Sequence, residues 1–250
     1  MSYKQILYNL ASMISPNYQN EISEVLKNNK KICIFDVGFY QGDFSINLIN
    51  KLSMYKNLEE IIVYSFDPNK NIDLSTFNDL SKNKNIQWKH YFYALGDKNS
   101  IETFTTIKHF PSSGSSINNI LKDSLWIKTR KLLLFPFLKE NNLYESFNVD
   151  QRKLDSIEFG IDSVDILKID VEGYSYEVLK GSVEFLTKYN PIIQVEILAK
   201  KNQFNESKVK ICNFLNDINY ELKLEKKHLT THIFSDVTCR DLLFINKNSE

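Results

Sequence analysis

Cysteine is nearly absent. The 250-residue chain has three, Cys33, Cys212 and Cys239, far apart and with no C-x-x-C among them. An odd, scattered set builds neither a disulfide framework nor a cysteine-rich zinc site, and it suits a reducing compartment such as the cytoplasm. An excess of one charge is missing too. Lys+Arg and Asp+Glu both number 31, so the basic surplus that meets nucleic-acid phosphates is lacking and no nucleic-acid partner is expected. No apolar run approaches the ~20 residues of a membrane-spanning helix. The longest, Leu132 to Leu138, is interrupted by Pro136. The N-terminal stretch MSYKQILYNLASMI has no signal-peptide core. What remains, 42% hydrophobic and 25% charged, is an ordinary globular composition. The length allows one full domain, with or without a small appendage.

Against these absences stands a regular alternation. Apolar Ile32 to Phe35 leads into Asp36 and a turn bounded by Gly38 and Gly42. From Asp43 a helical pattern puts Phe44, Leu48 and Leu52 on one face. Further strands are expected at Ile61 to Phe66, Ile86 to Ala94, Val164 to Ile169, Pro191 to Ile197, Tyr220 to Leu224 and Asp241 to Ile245, and Ile101 to Ile107 is strand-like. Helices are expected at Ile72 to Leu80, Ser175 to Tyr189 and Phe204 to Leu215. Apolar strands alternating with amphipathic helices describe an α/β fold, a parallel sheet covered on both faces. Residues 1–30 read as a helical appendage with Ile22, Val25 and Leu26 at helical spacing, and 31–250 as the main domain. Within it, 108–150 reads as an insertion on the ligand side, with a serine-rich loop and then a basic helix bearing Lys122, Lys128, Arg130 and Lys131.

Asp36, Asp67, Asp97 and Asp170 each stand at or just past the C-terminal end of an expected strand. Those ends share one edge of an open parallel sheet, where ligands bind. A carboxylate accepts two hydrogen bonds from a ribose diol, which suits Asp67. The turn D-V-G-F-Y-Q-G lacks the lysine and hydroxyl of a P-loop and the third glycine of G-x-G-x-x-G. It has no evident cradle for a pyrophosphate. An acid two positions before a glycine suits a ligand with a cationic amino group and no phosphate, as S-adenosylmethionine is.

Six blocks in order then resemble the FkbM family of S-adenosylmethionine-dependent methyltransferases. They are F-D-V-G-F-Y-Q-G (Phe35 to Gly42), Y-S-F-D-P (Tyr64 to Pro68), A-L-G-D (Ala94 to Asp97), K-L-D-S-I (Lys153 to Ile157), Ile166 to Gly173, and P-I-I-Q-V-E (Pro191 to Glu196). The resemblance implies a Rossmann-like methyltransferase fold with a mostly parallel seven-stranded sheet, and methyl transfer to a hydroxyl of a sugar, glycoconjugate precursor or natural product. It implies that Asp36, Gly38, Phe39, Gln41 and Gly42 line the methionine end of the cofactor. Asp67 and Pro68 would take the ribose, Ala94, Leu95 and Asp97 the adenine, and Asp170 the space between cofactor and acceptor. Phe39 and Tyr40 stand where the family turn is smaller, and Asp67 where it has Glu.

An alcohol acceptor must lose a proton, so a base is expected among Asp170, Glu172, Glu196 and His109. Lys168, on the strand before Asp170, reads as part of the site or as a lysine reaching past the sheet edge. No metal is expected to be needed. The basic residues of 108–150 suit an anionic acceptor such as a uronic acid or nucleotide-sugar. Competing readings are N- or carboxyl-methylation, and a Rossmann-like binding module without catalysis.

Overall fold

A computed structural model describes residues 18–80, 82, 85–107, 117, 144–227 and 236–248. His109 and the basic residues Lys122, Lys128, Arg130 and Lys131 lie outside the described residues, as does the first expected helix of the N-terminal appendage.

In chain order the elements are α1 (Gln19–Leu26), β1 (Lys31–Val37), α2 (Asp43–Leu52), β2 (Glu60–Phe66), α3 (Ser75–Leu80), β3 (Ile86–Tyr91), β4 (Ala94–Leu95), β5 (Ser100–Ile107), β6 (Tyr144–Arg152), β7 (Ile166–Ile169), α4 (Ser175–Lys180), α5 (Val183–Tyr189), β8 (Ile192–Lys200), α6 (Phe204–Asp217), β9 (Tyr220–Lys227) and β10 (Val237–Asn246). Seven strands form one sheet in the order β3-β2-β1-β7-β8-β10-β9. Every pairing from β3 to β8 is parallel, and β10 runs antiparallel to both its neighbours. From β1 the order proceeds one way to β2 and β3 and the other way to β7 and β8. The switch point, where a crevice opens at the strand C-termini, therefore lies between β1 and β7.

The strands are buried on both faces, as a covered parallel sheet requires. One face carries Phe35, Val37, Leu167, Ile169, Val195 and Ile197 under α4, α5 and α6, and the other carries Ile32, Ile34, Val63 and Ile166 under α1 and α2. Helix α1 packs into this second core through Ile22 and Leu26, at 0% and 6% exposure, with fully buried Tyr18 just before it. Val25, expected on the same face, is 66% exposed. Residues 18–26 are thus part of the main core.

Strand β5 and the first residues after the 108–143 stretch belong to a second sheet, ordered β4-β6-β5. Ile107 pairs with Tyr144 across this antiparallel ribbon, so residues 144–150 of the expected insertion are strand. The third main-sheet strand stops at Tyr91, and Ala94 and Leu95 pair instead with Gln151 and Arg152. The helix expected over Ser175 to Tyr189 breaks at Gly181-Ser182. At the break Gly181 comes close to the turn after β4: a Cβ on it would lie 1.9 Å from the Gly96 carbonyl oxygen.

Candidate active site

The register of β1 on β7 pairs Val37 with Ile169, which sets Gly38 against Asp170 at the switch point. Asp170 donates its N–H to the Val37 carbonyl at 2.9 Å. A Cβ on Gly38 would sit 1.7 Å from the Asp170 carbonyl oxygen, and Gly38 has φ +79°. Only glycine fits this approach. Gly42, also at φ +79°, caps α2 beneath the Phe39 ring, which a Cβ there would meet at 2.4 Å.

The bulk of the turn now has a structural account. Phe39 is 2% exposed and packs against Trp88 and His90 in the α1/α2 core, so its side chain belongs to the core and only its backbone borders the crevice. Tyr40 takes a left-handed backbone, φ 49°, and donates its N–H to Asp67 Oδ2 at 2.9 Å. Gln41, half-buried, completes the turn before Gly42. The turn amides are used internally. Gly38 and Phe39 donate to the Phe66 carbonyl, Tyr40 to Asp67, and Gly42 to the Phe39 carbonyl. These four N–H groups are not available to a phosphate, which matches the missing phosphate signatures.

Asp36 is fully buried. Its Oδ2 accepts from Ser45 Oγ at 2.6 Å and its Oδ1 lies 3.1 Å from Lys168 Nζ. Burial pushes its pKa up, opposed by Lys168 and Ser45. Burial disfavours the charge on Lys168 as well, but Asp36 and Asp170 outweigh that and hold its pKa above the ordinary lysine value. We take the ammonium as fixed. Lys168, which the sequence left open between a site residue and a lysine reaching past the sheet edge, is a hub, 3.3 Å from Asp170 Oδ2 and donating to the Gly38 carbonyl at 3.0 Å.

Asp67, 8% exposed, accepts N–H bonds from Asn69 and Tyr40, both at 2.9 Å, and burial raises its pKa to about 6. Beyond it, Pro68, Lys70, Asn71 and Phe92 face Phe147, Asn148 and Asp150 of the small sheet around a cavity of about 540 Å³, within the usual span of ligand pockets. Phe92 and the cavity are features that strand patterning did not single out.

At the other side of the crevice, Glu172 adopts φ 50° in the turn after β7. Glu196 of β8 lies opposite Asp241 of β10 and is 8% exposed, with Oε2 unpartnered among the described residues. Burial, reinforced by Asp170, Glu172 and Asp241, drives its pKa well above the ordinary value, which favours the protonated acid. Asp170 and Glu172 are the more exposed pair.

The A-L-G-D block sits differently from its expectation. Ala94 and Leu95 are buried in β4, Gly96 abuts Gly181, and Asp97 pairs with Lys180 of α4, whose hydrogen bond lowers its pKa. The structure therefore gathers Asp36, Gly38, Asp67 and Asp170 at one edge and ties Asp97 to α4. Asp155 of the K-L-D-S-I block likewise accepts the N–H groups of Glu184 and Phe185, fastening the start of α5. Among the described residues no group of three or more His, Cys, Asp or Glu side chains is placed to hold a metal ion, and no helix is long and apolar enough to cross a membrane.

Residues 36–222 match the model of the methyltransferase FkbM domain, which takes in the crevice and the strands that build it. The chain belongs to the FkbM methyltransferase family. Residues 36–222 are accordingly a methyltransferase FkbM domain, and its mostly parallel seven-stranded sheet covered by helices is the expected Rossmann-like α/β fold. Among solved structures, an FkbM methyltransferase from Methylobacillus flagellatus KT is 13% identical, with 94% of this chain and 57% of that one covered and a TM-score of 0.47. A putative class I S-adenosylmethionine-dependent methyltransferase from Listeria monocytogenes is 12% identical, with 100% and 62% covered and a TM-score of 0.48. TYW2 of M. jannaschii, solved in complex with AdoMet, is 11% identical, with 95% and 80% covered and a TM-score of 0.42. The chain thus spans less than two thirds of the length of the first two. No curated protein sequence matches it.

Proposed function

We propose that this FkbM domain transfers a methyl group from S-adenosylmethionine to a hydroxyl of a sugar, glycoconjugate precursor or related small molecule. The observation that carries the cofactor half is the turn: four of its amides are satisfied within the fold, while the carboxylates Asp67 and Asp170 stand at the same edge. That acceptor set fits a ligand with a diol and an ammonium and no phosphate. When bound, S-adenosylmethionine supplies a methyl group already activated on a sulfonium.

Gly38 and Asp170 hold the amino-acid end, and Asp67 with Pro68 holds the ribose. The base takes the cavity lined by Pro68, Phe92 and Phe147, in place of the Ala94–Asp97 block. A hydroxyl acceptor loses its proton to Glu172, since Asp170 is committed to the amino-acid end. Glu196, held as the acid by burial, is a hydrogen-bond donor to the acceptor rather than the base. A positioned base of this kind typically contributes ~10²–10⁴-fold, and holding the acceptor oxygen in line supplies much of the rest.

The test is calorimetry with S-adenosylhomocysteine, followed by transfer of labelled methyl from S-adenosylmethionine to a panel of sugars and nucleotide-sugars. Binding, transfer to oxygen, and a kcat at least about 10²-fold lower in Glu172→Gln are expected. Absence of binding refutes the cofactor half. Methyl appearing on nitrogen or on a carboxylate refutes the acceptor half.

A further inference from the structure

A lysine ammonium has three N–H donors, and the Lys168 ammonium has three acceptors around it: Asp36 Oδ1 at 3.1 Å, Asp170 Oδ2 at 3.3 Å and the Gly38 carbonyl at 3.0 Å. The contact to the Gly38 carbonyl is a hydrogen bond, and those to the two carboxylates are ion pairs. The lysine side chain is 8% exposed and that of Asp36 0%, whereas that of Asp170 is 41% exposed. One end of the bridge is sealed in the core and the other stands in the crevice. Its three partners come from the end of β1, the glycine turn and the residue after β7, and Asp36 is itself fastened to α2 through Ser45.

We propose that Lys168 is a positioning residue for the amino-acid end of the cofactor. By holding the Gly38 carbonyl and the Asp170 carboxylate to one buried charge, it sets the spacing between the two groups that meet that end. The inference rests on the S-adenosylmethionine reading above. It also reassigns the acid of the turn. Asp36, two positions before the glycine, already has an ammonium in Lys168, so Asp170 is the carboxylate left to meet the ammonium of a ligand. A buried ion pair is costly to desolvate and adds little stability over an apolar pair; what this one secures is the direction of Asp170.

The experiment measures, on the full chain, the Kd of S-adenosylhomocysteine and of 5′-methylthioadenosine, which lacks the amino-acid end. The variants are Lys168→Met, Asp170→Asn and the two together. Lys168→Met strands a buried carboxylate, so the set is repeated on Asp36→Asn, where the core is neutral and a melting temperature near the wild type reports an intact fold. On that background Lys168→Met is expected to weaken S-adenosylhomocysteine by about tenfold or more and to change 5′-methylthioadenosine by less than about twofold. Adding Asp170→Asn should then cost less than about twofold further, because coupled residues do not lose affinity independently. Equal losses for both nucleosides, no loss for either, or losses at Lys168 and Asp170 that multiply would overturn the inference. A wild type that binds neither nucleoside overturns the cofactor reading with it. A wild type that binds both and shows multiplying losses overturns this inference alone.

Discussion

Gly38→Ala should be the most damaging single-methyl change in the protein, and its cost can be separated into two parts. The first is conformational. Gly38 has φ +79°, and an L-residue in that region costs roughly 1–2 kcal/mol. The second is steric. The new methyl would lie 1.7 Å from the Asp170 carbonyl oxygen, a backbone atom of the adjoining strand that cannot swing aside. Forcing β1 and β7 apart at the switch point costs about 1–3 kcal/mol by analogy with overpacked cores. The sum, roughly 2–5 kcal/mol, is a large share of the 5–15 kcal/mol that holds a typical domain together. At about 2–4 °C per kcal/mol for a chain of this size, it lowers Tm by roughly 4–20 °C. Gly160 supplies the control, since it has φ +62° with nothing within 4 Å of its would-be Cβ. Gly160→Ala carries the conformational cost alone, about 1–2 kcal/mol. Scanning calorimetry on the two variants therefore isolates the overlap as a difference. If Gly38→Ala melts within a degree or two of Gly160→Ala, the close approach of turn and strand is wrong, and the site built on it is wrong too.

Two pH experiments follow from the buried acids and one buried imidazole. Glu196 binds its proton more tightly folded than unfolded, so its ionisation erodes stability as pH rises above the unfolded carboxyl range. Glu196→Gln should therefore gain more stability at pH 8 than at pH 5 in urea titrations, and an equal change at both would show that the carboxyl is ionised in the fold. Asp67, raised to about 6, likewise loses stability as pH climbs from about 4 to 6, whereas burial lowers His90 to about 4, so its contribution falls as pH drops from 6.5 towards 4. The two slopes oppose each other, and Asp67→Asn should steepen the loss of stability below pH 6.5; an unchanged slope would contradict the burial of Asp67.

The strands and most helices were legible in the sequence because burial writes itself as periodicity. Ile32 to Phe35 is a continuous apolar run because β1 is covered on both faces. Two things were not legible. Pairing partners outside the main sheet leave no periodic trace, so Ala94 to Asp97 read as the end of a third strand when β6 had claimed it. The position of the bridging lysine was half visible. Residues two apart on a strand share a face, which joins Lys168 to Asp170. The third member, Asp36, enters only through the register of β1 on β7, which places Asp36 beside Lys168. The family blocks likewise mixed two kinds of residue. Gly38 and Asp170 border the crevice, while Asp155 pins the N-terminus of α5.

The small sheet has a consequence for how such an enzyme diversifies. Ile107 and Tyr144 are paired neighbours, so the two ends of the stretch between them are held side by side. A connection whose two ends meet can change length at small entropic cost while the pairing of its ends stays as it is. The crevice at the switch point has no such freedom, since its glycine, lysine and two aspartates brace one another across two chain segments. Mutation can change the length between those paired ends without disturbing the braced crevice.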